Sequence, residues 1–259
     1  MCLILFSYQM HMDYRLILAA NRDEFYSRPT APLDYWAEHP ALLAGRDLKS
    51  SGTWLGVTRT GRIAAVTNYR DPNTCMQNAP SRGTLVSHYL AGNSSPRQYL
   101  KAVSKISRTY NGFNLIAGDE SGLYYYSNRA TGIQKLNPGF YGISNHLLDT
   151  AWPKVQKVKA RLQAQLMGKE KLVVEKIWRA LADRSPALDS ELPDTGVGLQ
   201  RERILSPVFI TSPDYGTRSS SIVLINKSGQ TTIMERTFLN SGNEIKQGET
   251  RKYCFKITR

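Results

Sequence analysis

Blocks of apolar and polar residues alternate at the start of the chain in a pattern that predicts a β-hairpin. Residues 3–8 are mostly apolar, residues 11–13 are polar, and residues 14–20 are again mostly apolar. Two apolar runs separated by a short polar turn are typical of paired antiparallel strands. The second run continues toward Arg22, so the predicted hairpin carries Arg22 back to the neighbourhood of Cys2.

The rest of the first half predicts more strands, followed by helices. Residues 25–40 are rich in aromatic residues and proline, which favours an ordered loop laid over the core. Strand segments are then predicted at residues 42–47, 51–57 and 63–68. The Ser95-Pro96 pair is typical of a helix start, and the predicted helix reaches about Ile106.

The second half begins with helices and ends with strands. Residues 152–167 and 171–182 have apolar residues at helical spacing and are predicted as two amphipathic helices. Residues 183–203 contain few large apolar residues, which predicts a long loop, and strands are predicted again beyond residue 207. Strands at both ends with helices between them predict a single α+β domain, residues 1–259, in which packed sheets are covered by helices.

Composition limits the class of protein. The 259 residues carry a formal net charge of +13, with lysine and arginine spread along the chain. Dispersed basic charge favours anionic ligands or solubility over a nucleic-acid surface. No segment has the ~20 consecutive apolar residues that a transmembrane helix needs. The three cysteines are sparse and lie at no metal-ligand spacing, so we expect a reducing, cytoplasmic setting without a disulfide framework.

Cys2 is the first candidate for chemistry. Removal of Met1 would leave Cys2 with a free α-amino group, whose solution pKa of ~7.7–8.0 suits a general base beside a thiol nucleophile. A nearby Arg22 can stabilise the thiolate. The alternative is that Cys2 is a packing residue and that the charges near Arg22 are solvated. A cysteine at position 2 together with the returning arginine favours an N-terminal-nucleophile site.

Amide cleavage also needs hydrogen-bond donors for an oxyanion. Asn68 ends a predicted strand and Asn145 follows another, and either carboxamide can supply a donor or act as a turn residue bonded to its own backbone. Arg218 opens a strand, where it can bind a carboxylate or phosphate or be an exposed charge. The four histidines lack zinc-site spacing, and the sequence contains no Walker loop, so we expect no metal site.

Seven motifs, in order across nearly the whole chain, carry a family resemblance. They are Met1-Cys2, Arg15-Leu16-Ile17-Leu18-Ala19-Ala20-Asn21-Arg22-Asp23-Glu24-Phe25, Gly52-Thr53-Trp54-Leu55-Gly56, Thr67-Asn68-Tyr69, Tyr110-Asn111-Gly112-Phe113-Asn114-Leu115, Ser144-Asn145-His146-Leu147-Leu148 and Tyr215-Gly216-Thr217-Arg218. The chain resembles the transport and Golgi organisation protein 2 family, also called the Asn-Arg-Asp-Glu (NRDE) family, which resembles the N-terminal-nucleophile (Ntn) hydrolases. The resemblance implies a four-layer αββα sandwich, with two mainly antiparallel sheets covered by helices.

Within that superfamily, the closest analogy is to the cysteine amidases that act on conjugated bile acids, penicillin V and N-acylated lipids. The analogy implies that Cys2 is the nucleophile and Arg22 its positively charged neighbour. It also implies that Asn68 and Asn145 are the oxyanion-binding and amine-orienting groups. Arg218 would be a second active-site arginine.

The chain departs from these patterns near the site. The amidases place an acid three residues after the arginine, whereas here Asp23 and Glu24 follow it directly, and either can take the orienting role. Asn21 and Glu24 are candidate ligand-binding residues. His146 is a third, because it stands where the family usually has a small residue and can narrow the site or ligate a metal or haem.

Two functional hypotheses follow from the resemblance. The first is a hydrolase of linear amide C–N bonds in small acylated, anionic molecules, which requires no cofactor. The second is a non-catalytic protein on the same scaffold that binds haem, acyl-coenzyme A or another lipid-like anion. The haem trafficking, lipid metabolism and secretory-pathway organisation associated with the family agree with the second hypothesis. The expected partner is accordingly a small anionic acylated ligand or haem.

Overall fold

Two stacked antiparallel β-sheets form the centre of the protein. The computed structural model describes residues 2–167, 171–242 and 244–258. The strands in these ranges are β1 (Cys2–Tyr8), β2 (Tyr14–Phe25), β3 (Thr30–Trp36), β4 (His39–Asp47), β5 (Leu55–Thr58), β6 (Ile63–Asn68), β7 (Phe113–Asp119), β8 (Gly122–Ser127), β9 (Gln134–Lys135), β10 (Gly139–Ile143), β11 (Tyr215–Asn226), β12 (Gln230–Asn240) and β13 (Ile245–Lys256). One sheet has the order β10-β1-β2-β11-β12-β13, and the other runs from β3 to β9 in chain order.

Helices cover the outer face of each sheet. The helices of the described ranges are α1 (Gly83–Ala91), α2 (Pro96–Ile106), α3 (Pro153–Leu166), α4 (Val174–Leu181) and α5 (Leu199–Leu205). Short 3₁₀ turns lie at Pro72–Thr74, Ser107–Thr109 and Asp189–Glu191. Within the same ranges, no helix combines the length and the apolar character needed to cross a bilayer.

The side chains of β1 explain the layering. Ile4 and Phe6 pack into the core between the two sheets, whereas Leu3 and Leu5 pack into a second core beneath α3 and α4. A third core lies beneath α1 and α2, on the outer face of the other sheet. Both faces of β1 are therefore buried, which is why its apolar run is almost continuous. The layers are helix, sheet, sheet and helix, so the predicted αββα sandwich is confirmed.

The segment at residues 25–40 does not form the predicted loop. It contains β3 and the start of β4, which pair antiparallel. The prediction of a loop was wrong because proline usually interrupts a strand. Pro32 lies in β3, which is an edge strand, and an edge strand tolerates the missing backbone N–H group. The aromatic residues are part of the strand, and Trp36 is buried against the helix-covered face.

The predicted loop at residues 183–203 is also partly helical. It contains the 3₁₀ turn at Asp189–Glu191, and α5 begins within it at Leu199. The short α5 has only two buried residues, Glu202 and Leu205. Because one of the two is charged, the segment lacks the apolar stripe by which helices are found in sequences.

Candidate active site

The β1–β2 hairpin brings Cys2 and Arg22 together. The two residues are opposite each other in the antiparallel register, and Ser219 of β11 lies on the other side of Arg22. Cys2 is buried, with 9% of its surface exposed. Met1, whose removal the nucleophile hypothesis requires, lies outside the described residues, so its removal stays a prediction.

Cys2 lines a cleft of about 390 Å³, whose walls come from both sheets and are mostly polar. Five residues singled out from the sequence meet here: Cys2, Arg22, Asp23, Glu24 and Asn68. They are contributed by β1, β2 and β6. The cleft is therefore the place where a substrate can contact the thiol, the arginine and a carboxamide at once.

Arg22 is held by a tryptophan that sequence reasoning did not connect with it. Its guanidinium lies 4.3 Å from the ring centroid of Trp54, in a cation–π contact. Arg22 is 5% exposed, and among the described residues its Nη1 has no hydrogen-bond partner. The Gly52-to-Gly56 motif is visible in the sequence, but nothing in it indicates that the indole covers Arg22.

Burial and nearby charges both act on the Cys2 thiol. Desolvation raises the pKa of Cys2 above its usual value and the negative charge of Asp23 raises it further, whereas the positive charge of Arg22 lowers it. Burial is the larger effect, so the thiol of Cys2 in this state is mainly protonated. A nucleophilic role therefore needs a base that removes the proton during reaction.

The two acids that follow Arg22 have different environments. Asp23 is buried, and its Oδ1 accepts a hydrogen bond from Thr217 Oγ1 at 2.7 Å. Burial raises the pKa of Asp23, and the positive charge of Lys154 is the largest opposing effect. Glu24 is half-buried at the cleft wall, where its Oε1 accepts from the N–H of Phe25 at 2.9 Å. The fixed geometry of Asp23 suits an orienting role better than that of Glu24.

Lys154 is a buried charged residue near Asp23, and the sequence did not indicate its burial. It lies in the first turn of α3 and is 4% exposed, and its Nζ donates to the carbonyl of Leu205 at 2.9 Å. Burial lowers its pKa to about 8, and the negative charge of Asp23 opposes this shift. In the sequence, Lys154 looks like one of many basic residues on a helix.

The two predicted asparagines are joined to each other. Asn145 Nδ2 donates to the backbone carbonyl of Asn68 at 3.1 Å. Asn68 lines the cleft with Cys2, whereas Asn145 is fully buried behind it. Ser144, next to Asn145, donates to the carbonyl of Cys2 at 3.4 Å. Asn68 is thus placed to contact a ligand, and Asn145 is placed to hold Asn68.

A buried ion pair supports Asn145. The backbone N–H of Arg70 donates to the carbonyl of Asn145 at 2.7 Å, and Nη2 donates to its Oδ1 at 3.4 Å. Arg70 in turn pairs with Glu202 of α5 at 2.6 Å, and the two side chains are 6% and 4% exposed. The partners are 132 residues apart, so no local pattern could have indicated this pair.

Three more cationic side chains surround the cleft: Arg28, Lys49 and Arg82. Arg28 is paired with Asp47, with Nη2 at 2.6 Å from Oδ2. Arg82 Nη1 donates to the carbonyl of Gly112 at 3.1 Å, and burial lowers the pKa of Arg82. Lys49 is exposed. The cleft walls therefore carry four basic side chains, with Arg22 included, and three acidic ones, Asp23, Glu24 and Asp47.

Asn21 and Arg218 lie away from the cleft. Asn21 is fully buried and donates through Nδ2 to the carbonyls of Leu181 and Val208, at 2.9 and 2.8 Å. It therefore anchors the end of α4 and the later segment at Val208 to the sheet. Arg218 lines a separate chamber next to the cleft, and its Nη1 donates to three backbone carbonyls of residues 25–28.

His146 does not fit a haem or metal ligand. Nε2 is hydrogen-bonded to Tyr69 Oη and Nδ1 to Thr150 Oγ1, both at 2.8 Å, so neither ring nitrogen is available. Burial lowers the pKa of His146, which favours the neutral ring. Across the described ranges, no three His, Cys, Asp or Glu residues are grouped so that they could hold a metal ion. Haem binding elsewhere on the molecule stays a prediction.

Comparison with known proteins identifies the family. The family model for Transport and Golgi organisation 2 matches residues 1–240. The chain belongs to this family. It is 37% identical, over 277 residues that cover 99% of each chain, to the Transport and Golgi organization protein 2 homolog of Homo sapiens. It is 26% identical, over 268 residues and 92% of each chain, to the Transport and Golgi organization protein 2 of Drosophila melanogaster.

Two solved structures share the fold of this family member. One is the Caenorhabditis elegans ortholog of N-acylethanolamine-hydrolyzing acid amidase, with a TM-score of 0.52 and 11% identity, covering 86% of this chain and 92% of that one. The other is a variant of the conjugated bile acid hydrolase from Clostridium perfringens, with a TM-score of 0.52 and 12% identity, covering 99% and 98%. The predicted sandwich of N-terminal-nucleophile hydrolase type is therefore confirmed at the level of the fold.

Proposed function

We propose that this protein hydrolyses linear amide C–N bonds in small acylated, anionic molecules, with Cys2 as the nucleophile. The observation that carries the proposal is that Cys2, Arg22 and Asn68 line one cleft, although they come from three strands and two sheets. A thiol, a cation and a carboxamide are the groups that acyl transfer from an amide needs. The fold shared with the acid amidase and the conjugated bile acid hydrolase supports the reaction class.

The reaction would begin with removal of Met1, which releases the α-amine of Cys2. That amine takes the thiol proton as Sγ forms a bond to the substrate carbonyl carbon. The resulting ammonium then gives the proton to the leaving amine as the C–N bond breaks, which leaves an acyl thioester on Cys2. Water attacks the thioester, releases a carboxylic acid and restores the thiol. The raised pKa of the buried thiol makes this adjacent base necessary.

The surrounding residues take supporting roles in this proposal. The side chain of Asn68 would donate to the oxyanion. Asn145 would hold Asn68 in place by donating to the backbone carbonyl of Asn68. The positive charge of Arg22 would stabilise the thiolate of Cys2. The buried Asp23 would orient the α-amine of Cys2. Arg82 and Lys49 would attract the anionic part of the substrate.

A second candidate is binding of the same acylated anion without cleavage. The observation that favours it is the burial of Cys2, which holds the thiol in its protonated, less nucleophilic form. In that case, Arg22 and the other cleft cations would serve affinity alone. The two candidates share the ligand class and differ in turnover.

Release of glycine from N-decanoylglycine tests the proposal, because this substrate combines an acyl chain, a linear amide and a carboxylate. We expect release by the wild-type protein and by a Cys75→Ala variant, since Cys75 is an exposed free cysteine. Release should be lost in Cys2→Ala. Calorimetric binding of N-decanoylglycine without glycine release would support the second candidate, and equal release by Cys2→Ala would refute the role of Cys2.

A further inference from the structure

A second chamber lies next to the cleft. Its volume is about 270 Å³, and it shares two residues with the cleft, Arg22 and Trp54. Pro32, Phe238 and Thr237 are among the residues that complete its walls. The stacked arginine and indole thus form the partition between the two spaces.

The strand register leads directly from the nucleophile to this chamber. Cys2 of β1 is opposite Arg22 of β2, Arg22 is opposite Ser219 of β11, and Ser219 is opposite Thr237 of β12. Arg22, Ser219 and Thr237 all line the chamber. At about 4.8 Å per strand, the row from Cys2 to Thr237 is about 14 Å long. A linear group attached to the sulfur reaches the chamber along this row by passing the stacked Arg22 and Trp54, which line both spaces.

The two spaces differ in polarity. The cleft walls are mostly polar, whereas the surface that the chamber presents is mostly apolar. The charges in the chamber walls are balanced, because Arg22 and Arg218 are matched by Glu235 and Glu249. Glu235 is buried and already accepts from the N–H of Leu33 at 2.8 Å. Balanced charge and apolar walls favour a neutral aliphatic occupant over a second anion.

We infer that the chamber binds the acyl chain of the substrate, an unbranched aliphatic chain, while the amine part occupies the cleft. The inference rests on the proposed function and extends it to the substrate class. After C–S bond formation and C–N bond cleavage, the acyl group remains on Sγ with its chain along the row to Thr237. The polar amine then leaves through the cleft, which is the side where Arg82 and Lys49 lie.

Acylation of Cys2 by two p-nitrophenyl esters, the acetate and the decanoate, tests the inference without requiring turnover. The protein carries Cys75→Ser and Cys254→Ser, since both of these cysteines are exposed, and intact mass reports the acyl group on Cys2. We expect the decanoate to react at least about tenfold faster than the acetate, because each buried methylene favours transfer out of water.

A tryptophan placed in the chamber should remove this preference. Thr237→Trp is expected to lower the decanoate-to-acetate rate ratio to about one, since a bulky side chain would fill the space that the chain occupies. Leu239 also lines the chamber and is 60% exposed, so Leu239→Trp disturbs the core less than Thr237→Trp. Leu239→Trp should lower the decanoate-to-acetate ratio even if Thr237→Trp does not fold. Thr232→Trp, on the same strand but outside the chamber walls, is the matched control and should keep the wild-type ratio.

The outcomes separate the inference from the function on which it rests. An unchanged ratio in both chamber variants would overturn the inference while leaving the nucleophile intact. A wild-type ratio of one would overturn it as well. Failure of both esters to acylate Cys2 would overturn the proposed hydrolase, and the acyl-chain assignment with it.

Discussion

Replacement of Glu202 by alanine should destabilise the protein strongly, because it leaves the partner arginine buried without a counter-charge. Arg70 and Glu202 are 6% and 4% exposed, and their closest atoms are 2.6 Å apart. Glu202 Oε1 also accepts from the backbone N–H of Thr195 at 3.0 Å. Removing one member of a buried ion pair typically costs about 3–5 kcal/mol of the free energy of unfolding. We expect Glu202→Ala to fall in that range.

Urea denaturation followed by circular dichroism measures the effect. For a slope of about 2–3 kcal/mol/M, the midpoint should fall by roughly 1–2.5 M. Asp189→Ala is the matched control, because the Asp189–Arg203 pair lies in the same region but its side chains are 54% and 52% exposed. The control should show no measurable loss, since solvent screens exposed ion pairs.

The double variant Arg70→Met/Glu202→Leu distinguishes a charge effect from lost packing. Replacing both partners by apolar residues should recover most of the stability lost in Glu202→Ala. A Glu202→Ala protein as stable as Asp189→Ala would refute the reasoning. So would a double variant less stable than Glu202→Ala, because the uncompensated charge would then not be the cause.

Two further variants test other contacts. Gly45→Ala places a Cβ against Trp54 Cη2 and should cost about 1–3 kcal/mol of unfolding free energy by overpacking. Adding Trp54→Phe, which removes the clashing ring atoms, should restore part of this loss in urea denaturation, and no relief would contradict the contact. Burial raises the pKa of Glu235 from 4.5 to about 6, so the folded state binds more protons than the unfolded state in this range. The contribution of Glu235 to stability should therefore fall by about 2 kcal/mol as the pH rises from 4.5 through 6. Glu235→Gln should remove this decrease from the profile, and parallel urea profiles of the two proteins at pH 4–7 would show that Glu235 is not responsible.

The pairing of Cys2 with Arg22 could be predicted because it depends on local structure. Two apolar runs around a short polar turn define a hairpin, and the length of the second run determines which residue returns to position 2. The register of Cys2 with Arg22 is a consequence of that pattern. The position of Asn68 at a strand end could also be predicted, because the strand that it ends has a clear apolar pattern.

The residues that support the site could not be predicted from the sequence. Trp54 covers Arg22 from the opposite sheet, and Glu202 reaches Arg70 from a short helix with few buried residues. Lys154 looks like any other lysine until α3 is packed against the sheet. These contacts join segments that are distant in the chain, and tertiary packing alone decides them. Proline at the edge of a sheet misled the prediction of β3 for a related reason, because edge position is a property of the whole sheet.

The central claim is that Cys2 is an N-terminal nucleophile, and intact mass spectrometry of the protein isolated from its native source tests it most directly. The protein is weighed before and after brief incubation with p-nitrophenyl decanoate, and again after the excess ester is removed. We expect a mass without Met1, one decanoyl group that peptide mapping places on Cys2 and not on the exposed Cys75 or Cys254, and loss of that group over time by hydrolysis. A protein that keeps Met1 and leaves Cys2 unmodified would contradict it.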